Sequence, residues 1–405
     1  MVTRGKIVAG AMQVLAEAGV AGLTHRAVAR AAGVSLAATT HHFDAKTDII
    51  EEASRALLDA YLGGFVRMKG RLETGEEVRL ASLDDLVLRV VLNALGRDRT
   101  RSLAWCELIL HGGRSPGGRA TAQSWYEQLD AIWYGIARLF DAAATQRQAS
   151  AAIDLAIGTT FFLHPLGLDR ATAEALLAGR LDIEVLLGQV SGSGARAPDA
   201  AQDDGDMKKR HAETRQKVVQ AAIDVIVEDG AAGISYARVA EVAGMVRSGP
   251  SYYFPTIDGL LEAAQMALFE RAKARYRSGL AAHGTGDLEE NRLLDLTTAV
   301  YFREALEFGR ENIGYYSVWM NAAQNPSLRP AVASSLLDLH RAWLRRLAAT
   351  GATTPDPVVA FRIQALFIGK LIRAIVAPAG IADLARARDD FAAVLHRQPG
   401  GTASS

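Results

Sequence analysis

Residues 3–53 of this 405-residue chain align without a gap on residues 214–264, and 17 of the 51 positions are identical. An internal repeat fixes architecture before any local reading does, because it means one fold written twice. The offset of 210–211 persists far downstream: Leu155, Ile157 and Gly158 fall on Leu366, Ile368 and Gly369, and Trp133 matches Trp343 within a residue. Each half is therefore expected to be a complete unit. Between the halves, Ser191–Glu213 is rich in Gly, Ser, Pro and acids without apolar period, the composition of a flexible linker. Its roughly 22 bonds stretch to about 75 Å, and a relaxed coil of that length averages about 26 Å.

Both copies share one grammar. Ile7, Ala11, Val14 and Leu15 recur at helical spacing, as do Val218, Ala222, Val225 and Ile226. Gly19 and Gly230 close this first helix. Thr24 and Ser235 stand at the N-cap of a second helix of about two turns, with Val28 and Ala32, or Val239 and Ala243, on its buried side. Gly33 and Gly244 mark the next turn, and a short third helix follows through Ser35–His42 and Arg247–Tyr253, anchored by Phe43 and Phe254. Three short helices with Gly at the second bend describe a helix-turn-helix.

At these residues the chain resembles the TetR family of bacterial transcriptional regulators. The first copy carries Thr24, Val28, Ala29, Ala32, Gly33, Val34, Ser35, His42 and Phe43 of the signature, and the second keeps Ser235, Val239, Ala240, Ala243, Gly244, Tyr253 and Phe254. The resemblance implies an all-α fold of two tandem units. Head 1 spans 1–47 and core 1 spans 48–190; the linker spans 191–213; head 2 spans 214–258 and core 2 spans 259–397. It also implies pairing of the two units as a pseudo-dimer, since members that resemble one half pair their last two helices into a four-helix bundle. Pairing of halves between chains, giving a dimer of tandems, is the other arrangement this allows.

The copies diverge where bases would be read, so unlike half-sites in an asymmetric operator are expected instead of the palindrome that identical heads read. Arg247 is the candidate base reader, since its guanidinium fork fits guanine O6 and N7. Leu36, Thr39 and Thr40 belong to the first recognition helix, where a threonine offers a hydroxyl to a base or a methyl to thymine. His41, His42, Ser248, Ser251, Tyr252 and Tyr253, with Thr24, Arg26, Ser35 and Ser235 near the helix starts, complete the candidate DNA-binding set. Lys46 matches a family lysine that clamps the phosphate backbone. Head 2 departs from the pattern: Ile257 replaces Lys46, Val246 replaces the capping Ser35, and Pro250 sits inside the short helix, acceptable only if that helix begins near Ser248. The contrary reading is a ligand- or partner-binding helical module whose heads, one or both, no longer bind DNA.

The resemblance further implies a small effector bound in the helical cores and a ligand-responsive protein, most simply a repressor. Candidate wall residues are Trp105, Glu107, His111, Trp125, Phe161, Phe162 and His164 in the first half. In the second they are Tyr301, Phe302, Tyr315, Tyr316, Trp319, Met320 and Asn321. A helix cannot bury every face of Tyr315–Tyr316 with Trp319 and Met320, so an apolar or aromatic effector is expected.

Composition adds limits. Lys plus Arg and Asp plus Glu balance at 45 each, so no global charge announces nucleic acid. The start of head 2 is locally basic, with Lys208, Lys209, Arg210, Arg215 and Lys217. The single Cys106 leaves no intramolecular disulfide, and with no apolar signal core or membrane-length apolar run a cytoplasmic protein is expected. Adjacent histidines such as His41 and His42 point about 100° apart on a helix, a poor metal site. Ser35, His41 and Asp44 lack a nucleophile elbow. No phosphate-binding glycine loop or dinucleotide fingerprint occurs, so no cofactor and no enzyme activity are expected.

Overall fold

The computed structural model describes residues 2–76, 80–192, 205–281, 289–351, 355–378 and 380–396. Among these residues there are helices and no strand. In the first half, α1 (Val2–Gly22), α2 (His25–Ala32) and α3 (Leu36–His42) form a head. It is followed by α4 (Lys46–Glu73), α5 (Leu83–Leu95), α6 (Arg99–Gly112), α7 (Pro116–Phe140), α8 (Gln146–Leu163), α9 (Arg170–Leu177) and α10 (Ile183–Gly192). The second half runs α11 (Gly205–Asp229), α12 (Tyr236–Ala243), α13 (Gly249–Tyr253), α14 (Ile257–Ala281) and α15 (Glu290–Leu306). It continues with α16 (Gly309–Gln324), α17 (Arg329–Ala349), α18 (Pro357–Val376), α19 (Ile381–Ala385) and α20 (Ala387–Leu395).

The helix starts are written in the sequence. Thr24, Ser35, Ser82, Ser115, Asp169, Ser235 and Asp356 each accept a hydrogen bond from a first-turn backbone N–H. Pro116 and Pro357 occupy first-turn positions that need no N–H donor. At the bend between the second and third helices, Gly33 and Gly244 take φ of 64° and 62°, the left-handed conformation that a side chain would strain.

Two expectations change in extent. The linker was expected to reach Glu213, but α11 begins at Gly205; Asp206–Glu213 contains no Gly or Pro and extends the first helix of head 2 backward. The expected linker residues 193–204 lie outside the described residues. The third helix of head 2 starts at Gly249 instead of Arg247. Pro250 thus falls in its first turn and Ser248 takes the cap position, though its side chain accepts no capping bond.

One continuous apolar core runs through both halves, from Ile7 to Val394. Its centre is the crossing of α8 and α18, each the partner of the other in the repeat. A Cβ added to Gly158 would land on the Ala365 carbonyl oxygen and lie 2.7 Å from Gly369 N; one added to Gly369 would land on Asp154 O, 3.0 Å from Gly158 N. The two backbones touch, which only glycine at both positions permits. Charges surround the crossing. Arg373 reaches Asp154 at 2.6 Å and Asp130 at 2.8 Å, while Lys370 reaches Asp390 at 2.5 Å and Asp154 at 3.4 Å. Asp154 is 1 % exposed. Burial opposes the Arg373 charge, but Asp154 and Asp130 more than offset it and hold the guanidinium firmly protonated.

α8 with the next turn, Gln146–Leu166, is by length and composition able to cross a membrane, although Arg147 and Asp154 interrupt its apolar run. It is 83 % buried inside the protein, as the central helix of a core would be.

Candidate nucleic-acid interface and effector cavities

The recognition helix of head 1 is positioned by caps and by one apolar face. Ser35 Oγ accepts from Ala38 N at 3.1 Å, and Thr24 Oγ1 accepts from Ala27 N at 3.1 Å. Phe43 is buried, with the Arg4 guanidinium over its ring at 5.0 Å. Head 2 repeats this contact at the same offset, with Arg215 over Phe254 at 4.5 Å.

Exposure sorts the candidate DNA-binding residues. Arg26, Leu36, Thr40 and His41 are exposed on head 1, and His42 is half-buried. Thr39 corrects an expectation. It is fully buried and its hydroxyl donates to Leu36 O at 2.7 Å, because Thr39 stands four residues before Phe43 and shares its inward face. Pro250, its counterpart before Phe254, is buried too. Lys46 opens α4 half-buried, and burial lowers its pKa. On head 2, Arg247 and Ser248 are exposed and Tyr252 is 74 % exposed. Ser235, Arg247, Ser248 and Ser251 line one shallow groove with Tyr236 and Ala237. Ser251 donates its hydroxyl to Ser248 O at 2.8 Å, and Tyr253 packs its ring 4.8 Å from His211. No cluster of metal-ligating side chains occurs among the described residues.

Residues 7–53 match the family model described as bacterial regulatory proteins, tetR family. The HTH-type transcriptional regulator CymR of Pseudomonas putida is 31 % identical over 152 residues, which is 36 % of this chain and 72 % of that protein. The chain belongs to the TetR family. It is a DNA-binding transcriptional regulator. Among solved structures, the multidrug binding protein EbrR complexed with imidazole is 24 % identical, with a TM-score of 0.39 over 50 % of this chain and all of that one.

In this TetR-family chain α1 and α11 are held by contacts that cross between the halves. Arg114, after α6 of the first half, donates to Val227 O at 3.1 Å and Ile226 O at 3.4 Å near the end of α11. Gln324, at the end of α16 of the second half, donates to Ala16 O in α1. Ala16 and Val227 are counterparts 211 residues apart, so each first helix is gripped by the other half. Ser317 Oγ also accepts from Ala231 N at 2.8 Å. Beneath Gly19, burial lifts the Glu107 carboxyl to about 7 against the pull of Arg114 and a hydrogen bond from Val20. None of these cross-half residues carries a local sequence signal; only the repeat offset points to them.

The cores hold two cavities at matching places. The first, about 530 Å³, is bounded by α4, α5, α6, α7 and α8 and floored by Tyr61, Phe65, Trp105, Trp125 and Trp133. The second, about 70 Å³, is walled by Tyr276, Tyr315, Tyr316, Trp319, Trp343 and Phe367. Trp105 and Trp125 line the first, and Tyr315, Tyr316 and Trp319 line the second. Nine other candidates line neither cavity: Glu107, Tyr301, Phe302 and Asn321, together with Phe161, Phe162, Met320, His111 and His164. Phe161 packs against Tyr316 with ring centroids 6.0 Å apart, and Phe162 packs against Phe361 at 5.1 Å, both across the halves. Met320 is core at 2 % exposure and does not reach the cavity wall. His111 sits beneath the head, its pKa lowered by burial and by Arg114 and Lys46. His164 is also structural. Arg99 can only donate, so His164 Nδ1 accepts at 3.4 Å and Nε2–H donates to Ser102 Oγ at 2.8 Å. Burial lowers its pKa to about 3, helped by Arg99, and it stays neutral.

Proposed function

We propose that the chain is a fusion of two TetR-like units that pair within one molecule and repress transcription from an asymmetric operator in a ligand-responsive way. The observation that carries this reading is the α8–α18 crossing. Asp154 pairs with Arg373, yet the counterparts of these residues are Ala365 and Phe162. Pairing of like halves would leave each of these charges buried without its partner, a cost of about 3–5 kcal/mol per broken pair. The crossing thus favours unlike halves, as a single chain supplies them.

Head 1 contributes Arg26, Leu36, Thr40, His41 and Lys46 to one half-site, with Thr24 and Ser35 presenting the helix starts and His42 beside them. Head 2 contributes Arg247 to bases, and Ser235, Ser248, Ser251, Tyr252 and Tyr253 to the backbone. The heads occupy successive major grooves about one helical turn apart, and an effector in the cores alters their spacing through the Arg114 and Gln324 contacts. The protein acts in the cytoplasm.

Selection of bound DNA from a random duplex pool, with the mass of the complex measured in solution, tests the proposal. A non-palindromic site bound by one chain supports it. A palindrome bound by two chains means that the halves pair between molecules. The five-residue α13, the uncapped Ser248 and Ile257 in place of Lys46 favour a narrower second reading, in which head 2 no longer binds DNA. Enrichment of a single half-site would establish it.

A further inference from the structure

We propose that the chain takes one effector, in the first core only, and that this effector is an aromatic carboxylate. The inference rests on the ligand-responsive reading above and names the chemistry and stoichiometry of its site. The first cavity is the size of a small-molecule pocket. Its floor is aromatic, while its charged lining among the described residues is Arg67, Arg71, Arg89, Arg97 and Arg101 against the single acid Asp98. Asp98 is shared by Arg97 at 3.3 Å and Arg101 at 3.4 Å. Arg67, Arg71 and Arg89 have no acidic partner among the described residues. Five guanidinium groups around one mouth repel one another, and an entering anion relieves that repulsion. Planar guanidinium forks match a carboxylate in bidentate fashion, and tryptophan and tyrosine faces receive the ring.

The second core lacks both features. Phe367 stands where the first half has Ala156, and Tyr276 where it has Phe65; Ser278 replaces Arg67. Phe367 is held by ring contacts to Tyr276, Tyr301 and Phe391 at 6.1–6.3 Å, so the space is filled by side chains that cannot easily vacate it. Among the described residues, Arg346 is the one charged side chain lining the remaining 70 Å³. Divergence of the repeat has left one open pocket and one filled one.

Calorimetric titration of the full chain with 2-naphthoate, and with the uncharged 2-naphthamide, tests both parts. The expected result is one naphthoate bound per chain and far weaker binding of the amide. Arg67→Gln with Arg71→Gln, both exposed residues on α4, is expected to weaken naphthoate by about tenfold or more, the worth of a charge-assisted hydrogen bond, and to leave the amide unchanged. Ala156→Phe is expected to abolish binding. Equal binding of acid and amide overturns the carboxylate assignment, and two sites per chain overturn the single-pocket one. No binding of either ligand overturns the inference as a whole. DNA binding by the same preparation is measured in parallel, so failure of the regulator reading is seen separately.

Discussion

Replacing Gly158 by alanine adds one methyl group at the point where the halves touch. That methyl would clash with the Ala365 carbonyl oxygen and sit 2.7 Å from both Ala365 C and Gly369 N, where ordinary contact begins at 3.4 Å. The obstacles are backbone atoms, so no side-chain rotation clears them. α8 and α18 must part by more than about 1 Å, which forfeits a quarter or more of the dispersion energy along the crossing. Overpacking alone costs about 1–3 kcal/mol. Parting also stretches the buried Asp154–Arg373 pair, which places the expected loss at the upper end, about 3 kcal/mol. Gly369→Ala makes the mirror-image clash with Asp154 O. The double variant is expected to cost clearly less than the sum of the two, because helices already parted for one methyl have room for the other. Gly188→Ala, in α10 with nothing within 4 Å of its added Cβ, is the control. It is expected to be neutral or to stabilise by about 0.5–1 kcal/mol. Urea unfolding followed by far-ultraviolet circular dichroism measures all four. A Gly158→Ala chain within about 0.5 kcal/mol of the parent, or strict additivity of the pair, would refute the backbone-contact argument.

Three further outcomes follow from the same contacts. Arg373→Met leaves Asp130 without this pair and Asp154 with only Lys370 at 3.4 Å; it is expected to cost about 3 kcal/mol or more in urea unfolding, and a cost near that of an exposed ion pair would show the network to be superficial. Arg247→Ala is expected to cost about 1–3 kcal/mol on the preferred operator and to relax preference in one half-site only, read by competition against variant duplexes. Equal loss across both half-sites would assign Arg247 to phosphates instead. Glu107 holds its proton to about 7 in the folded chain, against 4.5 ordinarily. The unfolded chain therefore binds fewer protons between these values, and stability contributed by this group falls as pH rises from about 4.5 to about 7. Glu107→Gln is expected to flatten that part of the stability profile, and an unchanged slope would place the titration elsewhere.

Much of the head was legible in the chain because its signals are local. A cap three residues from the N–H it accepts, a glycine at a left-handed bend and an apolar residue at helical spacing all act within a few positions. Thr24, Ser35, Gly33 and Gly244 therefore stand in the structure where the sequence reading put them. Thr39 departs from the expectation because the face of a seven-residue helix is set by what it packs against, and Phe43 turns that face inward. The cores were less legible still. Trp105 and Trp125 line the open cavity while Phe161 and Phe162 do not, although all four are large aromatics on core helices.

The sequence by itself determined that the caps, glycines and apolar spacing of residues 3–53 recur at 214–264, and the helices α1–α3 recur there as α11–α13. It also determined that the two third-helix segments are unlike, because residues 35–42 and 246–253 differ letter by letter. Tertiary structure alone decided how the halves meet. Asp154 with Arg373, Arg114 with Val227 O and Gln324 with Ala16 O join residues more than 100 positions apart. Tertiary structure also left the first cavity open while its counterpart closed around Phe367. Such contacts leave no period in the sequence, because the partner that satisfies each group arrives only when the helices pack.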